Sequence, residues 1–290
     1  MAEAVPPKAG PAPLIGGLVV LAALCSFAAN SILCRFALRD HAIDPASFSA
    51  VRISSGAILL TLLSVRKRPW SKGGWKSGGA LWLYATAFSF AYLNLSAGTG
   101  ALLLFGAVQA TMFGIGIARS HRPTKFEFLG LAIGFFGLVW LVWPGLASPS
   151  LFASLLMVVA GASWGVYSVR GQGQSDPATV TAGNFLWATP LSVAMALVFI
   201  GQSHTTPQGI ALAALSGAVT SGLGYVAWYA AVPYLSTVRA AVLQLTVPVF
   251  TALAGIVFLG EHATVRSMTG TFLVLGGVGM AVLARQTKDS

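Results

Sequence analysis

Residues 177–238 contain no Asp, Glu, Lys or Arg, an uncharged run of 62 residues. A domain that faces water carries about 25% charged residues. This chain carries 8%, against 56% hydrophobic. Such side chains cannot cover a water-facing surface, so lipid is the solvent for most of them. Further uncharged runs cover 9–34, 53–65, 77–118, 128–169, 240–260 and 267–284. A spanning helix needs about 20 residues. Runs 77–118 and 128–169 each hold two spans, and 177–238 holds two plus the polar loop GQSHTTPQG. Run 53–65 reaches spanning length by taking in 45–51 and accepting Arg52. The expectation is an all-α integral membrane protein with ten transmembrane helices. A β-barrel is excluded because the segments are continuously apolar and do not alternate.

The net charge of +10 follows a membrane rule and not a nucleic-acid one. With the N-terminus inside, inner loops and tails hold 13 Lys and Arg, among them Arg66, Lys67, Arg68, Lys72 and Lys76. Outer segments hold Arg35, Arg39 and Arg266, and Arg52 lies within a span. This is the positive-inside pattern, and it puts both termini in the cytoplasm. Residues 1–13 are rich in Pro and Ala and the apolar stretch after them is long enough to span, so a cleavable signal peptide is not expected. Cys25 and Cys34 share the first helix, about 13 Å apart along its axis, too far to pair.

The chain repeats itself. DPASFSAVR at 44–52 returns as DPATVTAGN at 176–184, with Arg52 answered by Asn184. Each copy opens the second helix of its half. Pro at a helix start costs no hydrogen bond, and the preceding Asp caps the helix and complements its dipole. Later, Thr124 answers Thr264, Gly130 answers Gly270 and Gly137 answers Gly277. The expected plan is a tail (1–13), a five-helix repeat (14–143), a second repeat (151–285) and a tail (286–290). Five is odd, so the second repeat enters the membrane inverted, an arrangement typical of transporters. The loop after the second helix holds five basic residues, while its counterpart GQSHTTPQG holds none.

DPASFSAVR, together with RAAVLQLTVPVFTALAGIVFLGEHAT at 239–264, resembles the EamA-type members of the drug/metabolite transporter superfamily. The Leu259-Gly260-Glu261 stretch is the most specific part. The first half departs from it, with His121 where Glu261 stands in the second. The resemblance implies ten helices from a five-helix duplication and export of amino acids or other metabolites. Within the family, the aromatic-rich interior is similar to the YddG-type exporters of aromatic and neutral amino acids.

The acids are Glu3, Asp40, Asp44, Glu127, Asp176, Glu261 and Asp289. Each falls in a tail, a loop or a helix end, as do all four histidines. Ion-driven pumps keep intramembrane carboxylates or histidines as proton relays, and an intramembrane enzyme needs such groups too. The expectation is therefore a facilitator or exchanger, not an enzyme, without cofactor or metal. Arg52 lies about 10 Å inside its helix. It has a structural reading, snorkelling to the outer interface or bracing a loop carboxylate such as Asp44, and a functional one, a contact to substrate.

The remaining candidates are polar or aromatic residues near mid-span. Asn30, Gln109 and Gln244 carry amides that lipid would leave unpaired, so they face the interior, as ligand contacts or as links between helices. Tyr84 and Tyr92 belong to one stripe, with Phe88 between them. Tyr167 lies one turn after Trp164, which is flanked by the small Gly161, Ala162 and Gly165. Trp164 reads as a cavity wall able to stack on a ring or meet an ammonium. Tyr225 and Trp228 share a face, Trp228 with the alternative of an interfacial belt. Pro248 kinks its helix as a hinge, offers a freed carbonyl, or is a tolerated defect. Gly130, Gly134 and Gly137 let helices approach closely.

Together these features predict a multi-pass protein of the bacterial inner membrane that exports small neutral or zwitterionic metabolites, amino acids foremost, by alternating access. The alternatives are an exporter of drug-like or quaternary ammonium compounds, or a passive channel. Its partners would be a small-molecule substrate and the bilayer, with no nucleic acid, as a monomer or homodimer.

Overall fold

A computed structural model describes residues 13–118, 124–143, 149–171, 174, 176–231 and 243–289. The described residues are helical throughout, apart from turns and one isolated bridge between Ile43 and Thr205. The helices are α1 (Pro13–Arg39), α2 (Pro45–Ser64), α3 (Trp75–Ala91), α4 (Ala97–Ala118), α5 (Lys125–Val142), α6 (Leu151–Gly171) and α7 (Pro177–Val198). They continue with α8 (Pro207–Ala231), α9 (Thr246–Leu259) and α10 (Val265–Asp289). Among the described residues, six helices are long and apolar enough to cross a membrane: α1, α2, α4, α6, α7 and α8. Large apolar side chains such as Leu62, Phe128, Phe135, Phe152, Val257 and Phe272 point outward and are mostly exposed. An exterior of that kind suits hydrocarbon and not water.

The two Asp-Pro copies start helices as their chemistry dictates. The Asp44 carboxylate accepts from the Ser47 N–H at 2.9 Å. The Asp176 carboxylate accepts from the Thr179 N–H at 3.4 Å and its hydroxyl at 2.8 Å. Each cap also meets the segment that follows the other helix. Asp44 accepts from the Ser203 hydroxyl and the His204 N–H, beyond the end of α7. Asp176 pairs with Lys67 at 2.9 Å, beyond the end of α2. Helices α2 and α7 therefore lie side by side in opposite directions.

Helices α5 and α10 pack the same way. A Cβ on Gly130 would collide with the backbone of Gly277, and one on Gly137 would collide with Leu273 and Val274. The expectation that these glycines permit close approach is met. The other main pairings are α3 with α6 and α7, α4 with α6 and α9, α1 with α8 and α9, and α2 with α8. Exchanging α1–α5 for α6–α10 converts α3–α6 into α1–α8, α3–α7 into α2–α8 and α4–α6 into α1–α9, and it leaves α4–α9 unchanged.

Helix α8 is not a regular α-helix. Residues Ser216–Leu223 form a π-helical segment within it. A π-bulge widens the turn and re-aims its side chains, and such segments concentrate at functional sites.

Candidate substrate site

Helix α6 is held tightly against α4. A Cβ on Gly161 would strike the Leu104 carbonyl and Ala107, and one on Gly165 would crowd Thr111. With that side flush against α4, Trp164 projects inward and is 5% exposed. Its ring centroid lies 4.7 Å from Tyr225, 5.0 Å from Tyr84 and 5.3 Å from Tyr167, the last stacked. Phe27 meets Trp164, Tyr225 and Trp228 edge-on. Trp228 is thus an interior residue, buried against α1, and not part of an interfacial belt.

Trp164, Tyr225, Tyr84 and Asn30 line a small cavity together with Phe27, Ser31, Phe88, Leu104 and Phe105. Its volume is about 20 Å³, room for about one water. Every helix that supplies a wall also supplies a packing partner from the other half of the chain.

Asn30 ties the wall to the π-helical segment. Its Oδ1 accepts from the hydroxyls of Ser216 at 2.7 Å and Thr220 at 3.2 Å. Its Nδ2 reaches the Tyr84 hydroxyl at 3.5 Å. The same hydroxyl accepts from Arg52 Nη2 at 3.1 Å. Arg52 is 1% exposed. Its Nε donates to Ser221 Oγ at 3.1 Å, and its guanidinium carbon lies 5.1 Å from the Tyr84 ring and 4.9 Å from the Phe88 ring. Its Nη1 is enclosed without a hydrogen-bond partner, and so is the Tyr225 hydroxyl. Asp44 does not brace Arg52: its oxygens go to Ser47, Ser203 and His204, at the helix start. Among the described residues, no carboxylate forms an ion pair with Arg52.

Asn184, at the position equivalent to Arg52, has another task. Its Oδ1 accepts from the Gly74 N–H at 3.1 Å and its Nδ2 reaches the Tyr167 hydroxyl at 3.5 Å. The same helix start therefore leads to a charge in one half and a neutral clamp on the start of α3 in the other. The repeat in sequence yields an asymmetric centre.

The remaining predicted residues lie elsewhere. Tyr92 stands at the end of α3 with its hydroxyl on the Ala97 carbonyl, and does not line the cavity. Gln109 and Gln244 are buried but do not line it either, and Gln109 Nε2 has no partner. Pro248 falls in the first turn of α9, three residues after a break at Leu245. There its missing N–H costs little, and the break spares the preceding turn from its ring.

Two features were not anticipated from sequence. The hydroxyls of Ser216, Thr220 and Ser221 converge on the centre. Glu261 closes the end of the bundle where α1 finishes: both its oxygens lie 2.9 Å from the Ala97 N–H at the start of α4, and Arg35 Nε is 3.6 Å away. Arg35 also donates to the carbonyls of Tyr92 and Leu93. The signal for Glu261 was its isolation, as the single acid between Asp176 and Asp289. His121, its counterpart, lies outside the described residues. Among the described residues there is no cluster of His, Cys, Asp and Glu fit to hold a metal ion.

Residues 151–283 match the model of the EamA-like transporter family. Over 271 residues the chain is 46% identical to an uncharacterized protein of Pseudomonas aeruginosa, covering 92% of this chain and 94% of that one. It is 29% identical over 194 residues to the threonine/homoserine exporter RhtA of Salmonella typhimurium, covering 60% of this chain and 63% of the exporter. A protein crystal structure superposes with a TM-score of 0.66 at 16% identity, over 95% of this chain and all of that one, a likeness of fold alone. Helical throughout its described residues, apolar on its exterior and matched over its second half, the chain belongs to the EamA-like transporter family of the drug/metabolite transporters.

Proposed function

We propose that this protein exports small neutral or zwitterionic metabolites, amino acids foremost, across the bacterial inner membrane. The proposed carrier has ten crossings arranged as two inverted five-helix repeats, with both termini in the cytoplasm. Support for the repeat comes from helix pairings that survive exchange of the halves, and from the opposed runs of α2 with α7 and α5 with α10. Support for the topology comes from the basic residues gathered on one side.

The observation that carries the function is the cavity at the junction of the halves. Phe27, Asn30, Tyr84 and Phe88 come from the first half, Trp164 and Tyr225 from the second. A volume of about 20 Å³ is that of a closed carrier, so passage requires the halves to rock apart around it. Aromatic rings supply broad contact to an apolar side chain or an ammonium. A cationic drug fits less well, because the buried charge beside the cavity is Arg52.

Counterflow in proteoliposomes tests this reading. Vesicles loaded with one unlabelled amino acid would be offered labelled tryptophan, phenylalanine, methionine or threonine, without an ion gradient. Saturable exchange of any of them is expected, and Trp164→Ala, if monodisperse, should lose it. Absence of exchange by well-folded protein would rule out an uncoupled amino-acid carrier of these substrates.

A further inference from the structure

We propose that Arg52 is the carboxylate anchor of the transported substrate, which docks end-on at Nη1 and Nη2 and displaces the Tyr84 hydroxyl. The inference rests on the carrier reading above and adds to it the chemical group that is recognised.

A guanidinium offers five N–H donors in a planar fork. At Arg52, one edge is committed to the protein through Nε and Ser221. The terminal edge is not. Nη2 has only the neutral Tyr84 hydroxyl, and Nη1 has nothing. No described carboxylate pairs with this charge. A buried cation with an open fork calls for an anion of matching shape, and a carboxylate meets both terminal nitrogens at once.

The neighbours favour the same ligand. The Tyr84 and Phe88 rings that flank the guanidinium also line the cavity. The Tyr225 hydroxyl, enclosed and unpartnered, lines the cavity as well. A carboxylate entering from the cavity takes over the bond that Tyr84 now receives. Tyr84 is then released from Arg52, and Asn30, which reaches the same hydroxyl, carries the change to Ser216 and Thr220 in the π-helical segment of α8. Recognition of the carboxylate thereby becomes a change at the contact between halves. The ammonium of a zwitterion finds no acid among the cavity-lining residues and rests on the faces of Trp164 and Tyr225. The site thus requires the carboxylate and only tolerates the ammonium.

The test is binding to purified full-length protein, read by thermal shift and titration. One matched set is L-phenylalanine, 3-phenylpropionate, L-phenylalaninamide and phenethylamine. A second is L-threonine and L-threoninamide. Compounds with a free carboxylate should bind about 10-fold or more tighter than the matched amide or amine. Arg52→Gln should erase that preference. Tyr84→Phe, which removes the competing acceptor and leaves the ring, should tighten carboxylate binding several-fold, and it keeps the test decisive if Arg52→Gln does not fold. Equal binding of acid and amide, a preference retained in folded Arg52→Gln, or no response to any carboxylate overturns the anchor. Binding of 3-phenylpropionate without phenylalanine or threonine would keep the anchor and discard the amino-acid reading. Equal binding of phenylalanine and its amide would do the reverse.

Discussion

Arg52 on α2 donates to Ser221 on α8 at 3.1 Å, a bond between residues 169 apart in sequence. It orients the guanidinium edge-on to the π-helical segment and leaves the terminal nitrogens facing the aromatic wall. Ser221→Ala removes a partner from a buried charge without adding bulk. The expected cost is about 1–3 kcal/mol, seen as a lower Tm of the purified protein. The same change introduced into Arg52→Gln should cost less than it does alone, since the charge is gone. Additive losses in the double variant would show that Ser221 acts through something other than Arg52.

Gly130 faces Gly277 where α5 and α10 run past each other. Gly130→Val would drive a branched side chain into the backbone of Gly277, with no flexible atom to give way. Overpacking of this kind costs about 1–3 kcal/mol or more, and the variant should yield little monodisperse protein. Gly276→Ala is the control: a Cβ there meets nothing within 4 Å, and its Tm should match the parent. Equal behaviour of the two variants would mean that α5 and α10 are not closely packed in the membrane.

Much of this arrangement is legible one segment at a time. Asp44-Pro45 and Asp176-Pro177 cap helices because a local dipeptide suffices for a cap. Gly161 and Gly165 predict a helix pressed against a neighbour, and with it the inward course of Trp164. Amide burial places Asn30, Gln109 and Gln244 inside, but burial alone does not say which of them lines a cavity. Tyr92 shares a stripe with Tyr84 yet ends up by the Glu261 closure, because two turns of helix carry it along the axis. The π-helical segment has no local signature: Ser216, Thr220 and Ser221 read as ordinary small residues until Asn30 gathers them. The Glu261 closure joins residues 164 apart, a pairing that no local pattern encodes.

Glu261 bonds the start of α4 and draws in Arg35, whose other nitrogen holds the carbonyls after α3. Three elements are therefore clasped by one carboxylate. Next to Arg35 on α1 sits Cys34, which is 0% exposed. Glu261→Ala should loosen this end and expose Cys34 to a water-soluble maleimide, in a Cys25→Ser background. Alkylation faster by about an order of magnitude is expected if the clasp contributes 1–2 kcal/mol, the range for a charge-assisted hydrogen bond. Unchanged labelling in a folded variant would show that the closure is held by packing alone.

The two helix caps make the protein sensitive to acid in a direction that follows from their surroundings. At Asp44, burial pushes the carboxyl up, but hydrogen bonds from Ser47, the His204 N–H and Ser203 outweigh it and hold the carboxyl below its ordinary value of 3.8. At Asp176, the hydrogen bond from Lys67 leads, joined by those from Thr179, and the carboxyl is again held low. A carboxyl whose folded value lies below its unfolded one contributes fully above the unfolded value. The contribution is lost as pH falls through the folded one. Stability from these caps should therefore be flat from neutral pH down to about 5 and fall progressively below about 4. Asp44→Asn keeps a capping oxygen but cannot titrate, so its Tm should start lower at pH 7 and decline less between pH 5 and 3 than that of the parent. Asp176 is exposed enough for solvent to screen its pair with Lys67, so Asp176→Asn should flatten the profile less than Asp44→Asn does. A decline with the same slope in both variants and the parent would place the acid sensitivity in other carboxylates.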